Sequence, residues 1–188
     1  MDYMGNKEYW DKKFIQRSDK PLSPETALID NIKYFKEGSV LDLACGDGRN
    51  TLFFLKRGFN VTAVDFSNEA LKRLQRFVKK LNYSVDTRQI NLSVDKALKD
   101  IKIFDNIVIN HYRLSKNNLL DIKNHLSFSG ILFVSGFGHK HKTCGKIRKE
   151  DLIKPTDFDV FNDSFELIDY IENEDDRGFF VTYIFRKK

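Results

Sequence analysis

Between Val40 and Ile131 the hydrophobic pattern switches repeatedly between two rhythms, and the switching predicts strands alternating with helices. Apolar runs bounded by turn residues predict strands over 39–44, 61–65, 84–90, 104–110 and 130–136. A first helix is expected from Ser23-Pro24-Glu25, which supplies an N-cap, a proline at the first helical position and an acid in the first turn. It carries Leu28, Ile32 and Phe35 on one face and ends at Gly38. A second covers 50–57, with Gly58 as its C-terminal cap. A third begins at Ser67 and turns Leu71, Leu74, Phe77, Val78 and Leu81 inward and Lys72, Arg73, Arg76, Lys79 and Lys80 outward. Further helices are expected over 93–99 and 115–126. The pattern then changes to alternation over 165–172 and 179–186 around the turn-rich 173–178, the signature of a β-hairpin. Repeated βα units predict a mainly parallel α/β sheet, and no linker or repeat interrupts them. One domain is expected over 1–188, with 1–38 as a helical N-terminal extension acting as a lid.

The end of the first strand carries the most chemistry. Leu41-Asp42-Leu43-Ala44-Cys45-Gly46-Asp47-Gly48-Arg49-Asn50 is a strand opening into two glycines one residue apart, and the next strand, Val61-Thr62-Ala63-Val64, ends on Asp65. The glycines allow a tight turn and close backbone approach to a ligand, the following helix offers backbone N–H groups, and Asp65 can accept from two ribose hydroxyls. This layout implies a nucleoside cofactor. A dinucleotide site wants a third glycine for helix packing, and Asn50 and Thr51 stand in that neighbourhood instead, which weakens the NAD reading.

The run Asp42 to Asn50 resembles motif I of the class I S-adenosylmethionine (SAM) methyltransferases, with Ala44 in place of the first glycine. Alanine fits there provided its φ stays negative. Tyr9-Trp10-Asp11, the loop itself, Gly58, and Val64-Asp65-Phe66-Ser67-Asn68 resemble the small bacterial methyltransferases of the tellurite-resistance type. The stretch from Gly145 through Pro155 resembles a segment after their fifth strand. The resemblance implies a Rossmann-like α/β fold with helices on both faces of a seven-stranded sheet of order 3-2-1-4-5-7-6, strand 7 antiparallel. It also implies SAM as cofactor and S-adenosylhomocysteine (SAH) as product. By position, Asp42, Ala44, Cys45, Gly46, Asp47 and Gly48 would meet the methionine end, Asp65 the ribose, Phe66 and Leu92 the adenine faces, and Asn91 the adenine amine, with Asn110 also at the cofactor.

Composition narrows the setting. Hydrophobic residues at 41%, with 17 Phe, suit a packed globule. Cys45 and Cys144 are too far apart for a metal pair or a disulfide framework, so a reducing, cytoplasmic setting without a metal is expected. The charged N-terminus shows no signal peptide, and no apolar run approaches the roughly 20 residues of a membrane span. The net charge of +5 is unevenly spread. Lys140, Lys142, Lys146, Arg148 and Lys149 crowd 139–149 with His139 and His141 and no acid, while 157–176 is acidic. The basic segment reads either as a solvated loop or as a substrate-side lid, with His139, Lys146 and Arg148, that favours an anionic acceptor.

Methyl transfer from a sulfonium needs alignment and exclusion of water more than a catalytic triad. Where the acceptor must lose a proton, His111 just after the fourth strand is the best-placed base, since histidine titrates near neutrality, with Tyr112 beside it. Cys45 reads as a packed side chain rather than a nucleophile, and Asp42 equally as a cap of its own loop. Asp47 is expected to be exposed near a helix start. Asn110-His111-Tyr112-Arg113 lacks the prolines that position a flipped base, which disfavours DNA methylation. A small-molecule acceptor is expected. The alternatives are an RNA methyltransferase using the basic helix and loop, and a non-catalytic SAM-binding or partner-binding domain.

Overall fold

The computed structural model describes residues 6–143 and 147–188, so Lys146 lies outside the described residues. The strands are β1 Ser39–Leu43, β2 Asn60–Asp65, β3 Asp86–Gln89, β4 Phe104–Asn110, β5 Leu126–Phe137, β6 Phe165–Asp175 and β7 Gly178–Lys187. They form one sheet of order β3-β2-β1-β4-β5-β7-β6. Pairing is parallel from β3 to β5, and β7 runs antiparallel to both β5 and β6. Order and reversal are those expected. The helices are α1 Lys7–Gln16, α2 Thr26–Asp30, α3 Arg49–Leu55, α4 Asn68–Lys80 and α5 Lys116–Asp121.

Residues alternate between two cores because successive side chains of a strand point to opposite faces. Ile107, Ile109, Leu132 and Val134 pack with Leu119, Ile122, Phe161 and Phe165 on one face. Val108, Ile131 and Phe133 pack with Leu28, Phe54, Leu74 and Phe77 on the other. β4 is therefore buried on both sides across Ile107, Val108 and Ile109, which is why its middle reads as an apolar run without alternation.

Four expectations are corrected. The 23–38 helix starts only at Thr26, with Glu25 as its N-cap. It stops at Asn31, whose Nδ2 donates to Ala27 O at 2.8 Å, and a 3₁₀ turn follows over Ile32–Tyr34. The 93–99 segment forms turns. Asn91 Oδ1 accepts from Ser93 N at 3.0 Å and Ser93 Oγ at 2.7 Å, and Asn118 Nδ2 donates to Leu92 O and Val94 O at 2.9 and 2.8 Å. Those side chains hold backbone groups that a helix would need. The 115–126 helix shortens to α5 plus a 3₁₀ turn over Ile122–Asn124, because β5 already begins at Leu126. In α4, Arg73 points inward and is buried, while Leu81 lies past the last helical residue and is exposed.

Candidate functional site

The carboxyl ends of β1, β2 and β4 meet at one edge of the sheet, where open α/β sheets bind ligands. The chain leaves β1 through a loop with positive φ at Ala44 (56°), Gly46 (56°) and Gly48 (87°). Three bonds impose that path: Cys45 N to Val64 O at 3.0 Å, Gly46 N to Asp65 Oδ2 at 2.8 Å, and Gly48 N to Cys45 O at 3.1 Å. Ala44 thus takes the left-handed conformation rather than the negative φ expected of it. Ala44→Gly should raise stability by about 1 kcal/mol, read from the urea midpoint, because glycine adopts this φ without steric cost. At Gly48 a Cβ would overlap Leu74 Cδ1, and at Gly46 it would stand 3.3 Å from Phe14 Cζ, so α4 and α1 both press on the loop.

Each acid of the site has a distinct environment. Asp65 is buried, and besides Gly46 N its carboxylate accepts from Ser67 N at 2.8 Å. Burial raises its pKa to about 6 against the lowering effect of those backbone N–H groups. Asp42 is 1% exposed and accepts from Thr51 Oγ1 at 2.6 Å. Burial first, and then the nearby Asp65 charge, push its pKa up to about 7. The Thr51 bond ties Asp42 to a side chain of α3, not to the backbone N–H groups of its own loop as the capping option had it. Asp47 is not exposed as expected: it is 3% exposed and sits between two arginines. Arg17 Nη1 donates to its Oδ1 at 2.7 Å and Arg73 Nε to its Oδ2 at 3.2 Å, while Arg73 also donates to Arg17 O and Ser18 O. This cluster ties the end of α1 to the glycine loop and α4. Cys45 is buried, its thiol donates to Gly46 O at 3.4 Å, and burial pushes its pKa well up, which is the packed role expected.

The end of β4 holds a second cluster that the sequence did not expose. His111 has φ 54°, its N–H donates to Ser135 O at 2.7 Å, and its Nε2 lies 2.7 Å from Glu25 Oε1. Strained backbone of this kind concentrates at functional sites. Glu25 is 5% exposed and also accepts from Arg49 Nη2 and from Arg177 Nη1, the latter at 3.1 Å to Oε2. Burial alone would raise its pKa, but His111, Arg49 and Arg177 outweigh burial and bring it down to about 2. Arg177, in the β6–β7 turn, is shared with Asp175. The only sequence signal for Glu25 was its place in the first turn of a helix.

The remaining candidates are scattered. Phe66 is half-buried and Leu92 buried, while Asn91 gives its carbonyl oxygen to Ser93. Tyr112 packs against the core beside β4. His139 is exposed near Phe179, and Arg148 lies 3.8 Å from Asp151. The basic segment is partly neutralised, since Lys140 Nζ is 2.6 Å from Glu172 on β6. A cleft of about 460 Å³ opens away from the glycine loop, between α5 and the 155–164 segment, beside the Arg113–Asp157 pair. At the loop edge, Asn110 Oδ1 and Arg49 Nε are buried without a hydrogen-bond partner among the described residues.

A seven-stranded sheet in this order, with a glycine loop leaving β1 and an acid closing β2, defines the class I methyltransferase fold. Residues 3–130 match the family model of Tellurite resistance protein TehB, and the chain belongs to that family. It is 29% identical over 117 residues to a probable cobalt-precorrin-6B C(15)-methyltransferase (decarboxylating) of Methanobrevibacter smithii, covering 60% of this chain and 62% of that protein. It is 28% identical over 85 residues to the probable S-adenosyl-L-methionine-dependent methyltransferase TehB of Haemophilus influenzae, covering 45% of this chain and 28% of that one. The crystal structure of TehB from Haemophilus influenzae is similar with a TM-score of 0.71 and 21% identity, over 97% of this chain and 67% of that chain. The matches span less than two thirds of the length of these curated relatives. Among the described residues, no helix is long and apolar enough to cross a membrane.

Proposed function

We propose that this chain is a SAM-dependent methyltransferase acting on a small acceptor that loses a proton on methylation, with His111 as the base and Glu25 as its carboxylate partner. The observation that carries this reading is the 2.7 Å contact between His111 Nε2 and the buried Glu25 at the end of β4. With Nε2–H donated to the carboxylate, Nδ1 keeps the free lone pair with which to take the acceptor's proton.

The edge of the sheet fits SAM. An ionised carboxylate offers about four lone-pair sites, so Asp65 can accept from ribose hydroxyls beyond its two backbone donors. The loop from Ala44 to Gly48 would take the methionine end, Phe66 and Leu92 the adenine, and Asn91 and Asn110 polar atoms of the cofactor. Bound there, SAM supplies a methyl group on a sulfonium that leaves readily. The extension through α1 acts as the lid: Phe14 presses on Gly46, and Asp11 accepts from Ser67 Oγ at the end of β2. It orders the site and keeps water from it.

Several observations favour a small acceptor over RNA. The exposed basic face of α4 is largely paired, Lys72 with Glu69 and both Arg76 and Lys80 with Asp19, and Arg73 is not on it. The Methanobrevibacter smithii relative is named for a cobalt-precorrin acceptor. An anionic acceptor remains our reading, with Arg177, which pairs with Glu25 beside His111, as the cation that would meet it. The family description adds tellurite to the acceptors to try, as an oxyanion whose tellurium lone pair takes a methyl group without losing a proton, so that its turnover would not depend on His111.

The test is SAH formation from SAM with tellurite, selenite, small thiols, amines, phenols and RNA. We expect turnover with at least one small acceptor that loses a proton, and with it a roughly 100-fold lower kcat for His111→Asn, within the usual contribution of a general base. Turnover with RNA alone would reverse the acceptor assignment, and full activity of His111→Asn on such an acceptor would remove the base.

A further inference from the structure

We infer that Arg49 and Asn110 together recognise the amino-acid head of the cofactor, Arg49 Nε donating to its carboxylate and Asn110 Oδ1 accepting from its ammonium. This rests on the SAM reading above and adds to it a residue, Arg49, that the glycine loop by itself does not implicate.

Both atoms are buried and lack a partner among the described residues, and buried polar groups are rarely left so. Their chemistry is complementary. Arg49 Nε can only donate and Asn110 Oδ1 can only accept, so a zwitterionic head bearing a carboxylate and an ammonium satisfies both at once. Their placement agrees. Arg49 Nη2 and His111 Nε2 meet the same oxygen, Glu25 Oε1, so the Arg49 guanidinium lies beside the end of β4, where Asn110 is the residue before His111. Arg49 also directly follows Gly48, the last residue of the loop assigned to the methionine end.

Arg49 is fixed for this task. Its Nη2 is tied to Glu25, and Glu25 N in turn donates to Asn50 Oδ1 at 3.1 Å. The guanidinium is thereby held with one face of its fork occupied and Nε unspent. Glu25 does not repel an incoming carboxylate strongly, because Arg49, Arg177 and His111 all donate to it.

The experiment compares two ligands by calorimetric titration of the full chain: SAH, which has the amino-acid head, and 5′-methylthioadenosine, which lacks it. Arg49→Gln should weaken SAH about 10- to 100-fold, the range of one charge-assisted hydrogen bond, while 5′-methylthioadenosine changes less than about threefold. Asn110→Ala should weaken SAH selectively in the same way. If Arg49→Gln does not fold, Arg49→Lys keeps a cation for Glu25 but has no Nε–H, and should show the same selective loss. Equal weakening of both ligands, or an unchanged SAH affinity, overturns the assignment while leaving the cofactor reading intact. A wild-type protein that binds neither ligand overturns the cofactor reading itself, and the assignment with it.

Discussion

Asp47→Ala is expected to destabilise the protein by about 3 to 5 kcal/mol, the cost of stranding a buried charge by removing its partner. Arg73 is 4% exposed, and its Nε meets Asp47. Alanine leaves that guanidinium in the interior with the carbonyls of Arg17 and Ser18 and the face of Phe77, and without its carboxylate. It also frees Arg17, which anchors the end of α1 to the loop. Urea unfolding should therefore show a lower midpoint, and SAH binding should weaken because the glycine loop loses its brace. Asp47→Ala combined with Arg73→Met should recover much of the loss, since apolar replacement of a whole buried pair is often near neutral. A loss below about 1 kcal/mol for the single substitution would mean that water reaches Arg73 freely.

The second large effect is on pH. Folding stability should rise as pH falls from 8 to 5, by roughly 2 to 4 kcal/mol at 1.36 kcal/mol for each unit of pKa difference. Asp42 is held at about 7 and Asp65 at about 6, both above the ordinary 3.8, burial being the main cause. The folded state consequently binds protons more tightly than the unfolded chain. The contribution is fully present below about pH 4 and is lost as pH rises through 6 and 7. Glu25 acts in the opposite sense: its pKa is lowered to about 2, so its contribution is present above 4.5 and lost as pH falls through 2. Urea midpoints between pH 5 and 8 measure the slope, and Asp42→Asn, which keeps an acceptor for Thr51, should flatten it. A slope of the opposite sign would show that Asp42 is charged in the fold.

Much of this architecture is legible in the chain because local and global preferences agree there. β4 runs over the residues expected, Ser67 caps α4, with its Oγ accepting from Ala70 N, and Gly58 closes α3 at φ 83°. The glycine loop and Asp65 converge because strands paired in parallel bring their carboxyl ends to one edge. Where local preference met tertiary competition, it lost. The 93–99 helix gave way to side-chain bonds from Asn91 and from Asn118, which comes from a distant element. Arg73 shares the spacing of the outward lysines, and only the buried Asp47 draws it in.

By itself, then, the sequence determined the alternation of strands and helices, the glycine loop and the acid that ends β2, since these depend on period, turn chemistry and spacing within a few dozen residues, whereas the strand order followed from the family resemblance. Only the tertiary structure decided which charges are paired. Glu25 meets His111, Arg49 and Arg177 across separations of up to 152 residues, and Asp47 meets Arg17 and Arg73 across 30 and 26. The physical reason is that a charge carries no periodicity. Its partner is chosen by desolvation and by whatever opposite charge the fold brings within reach, and neither can be read before the strands are in place.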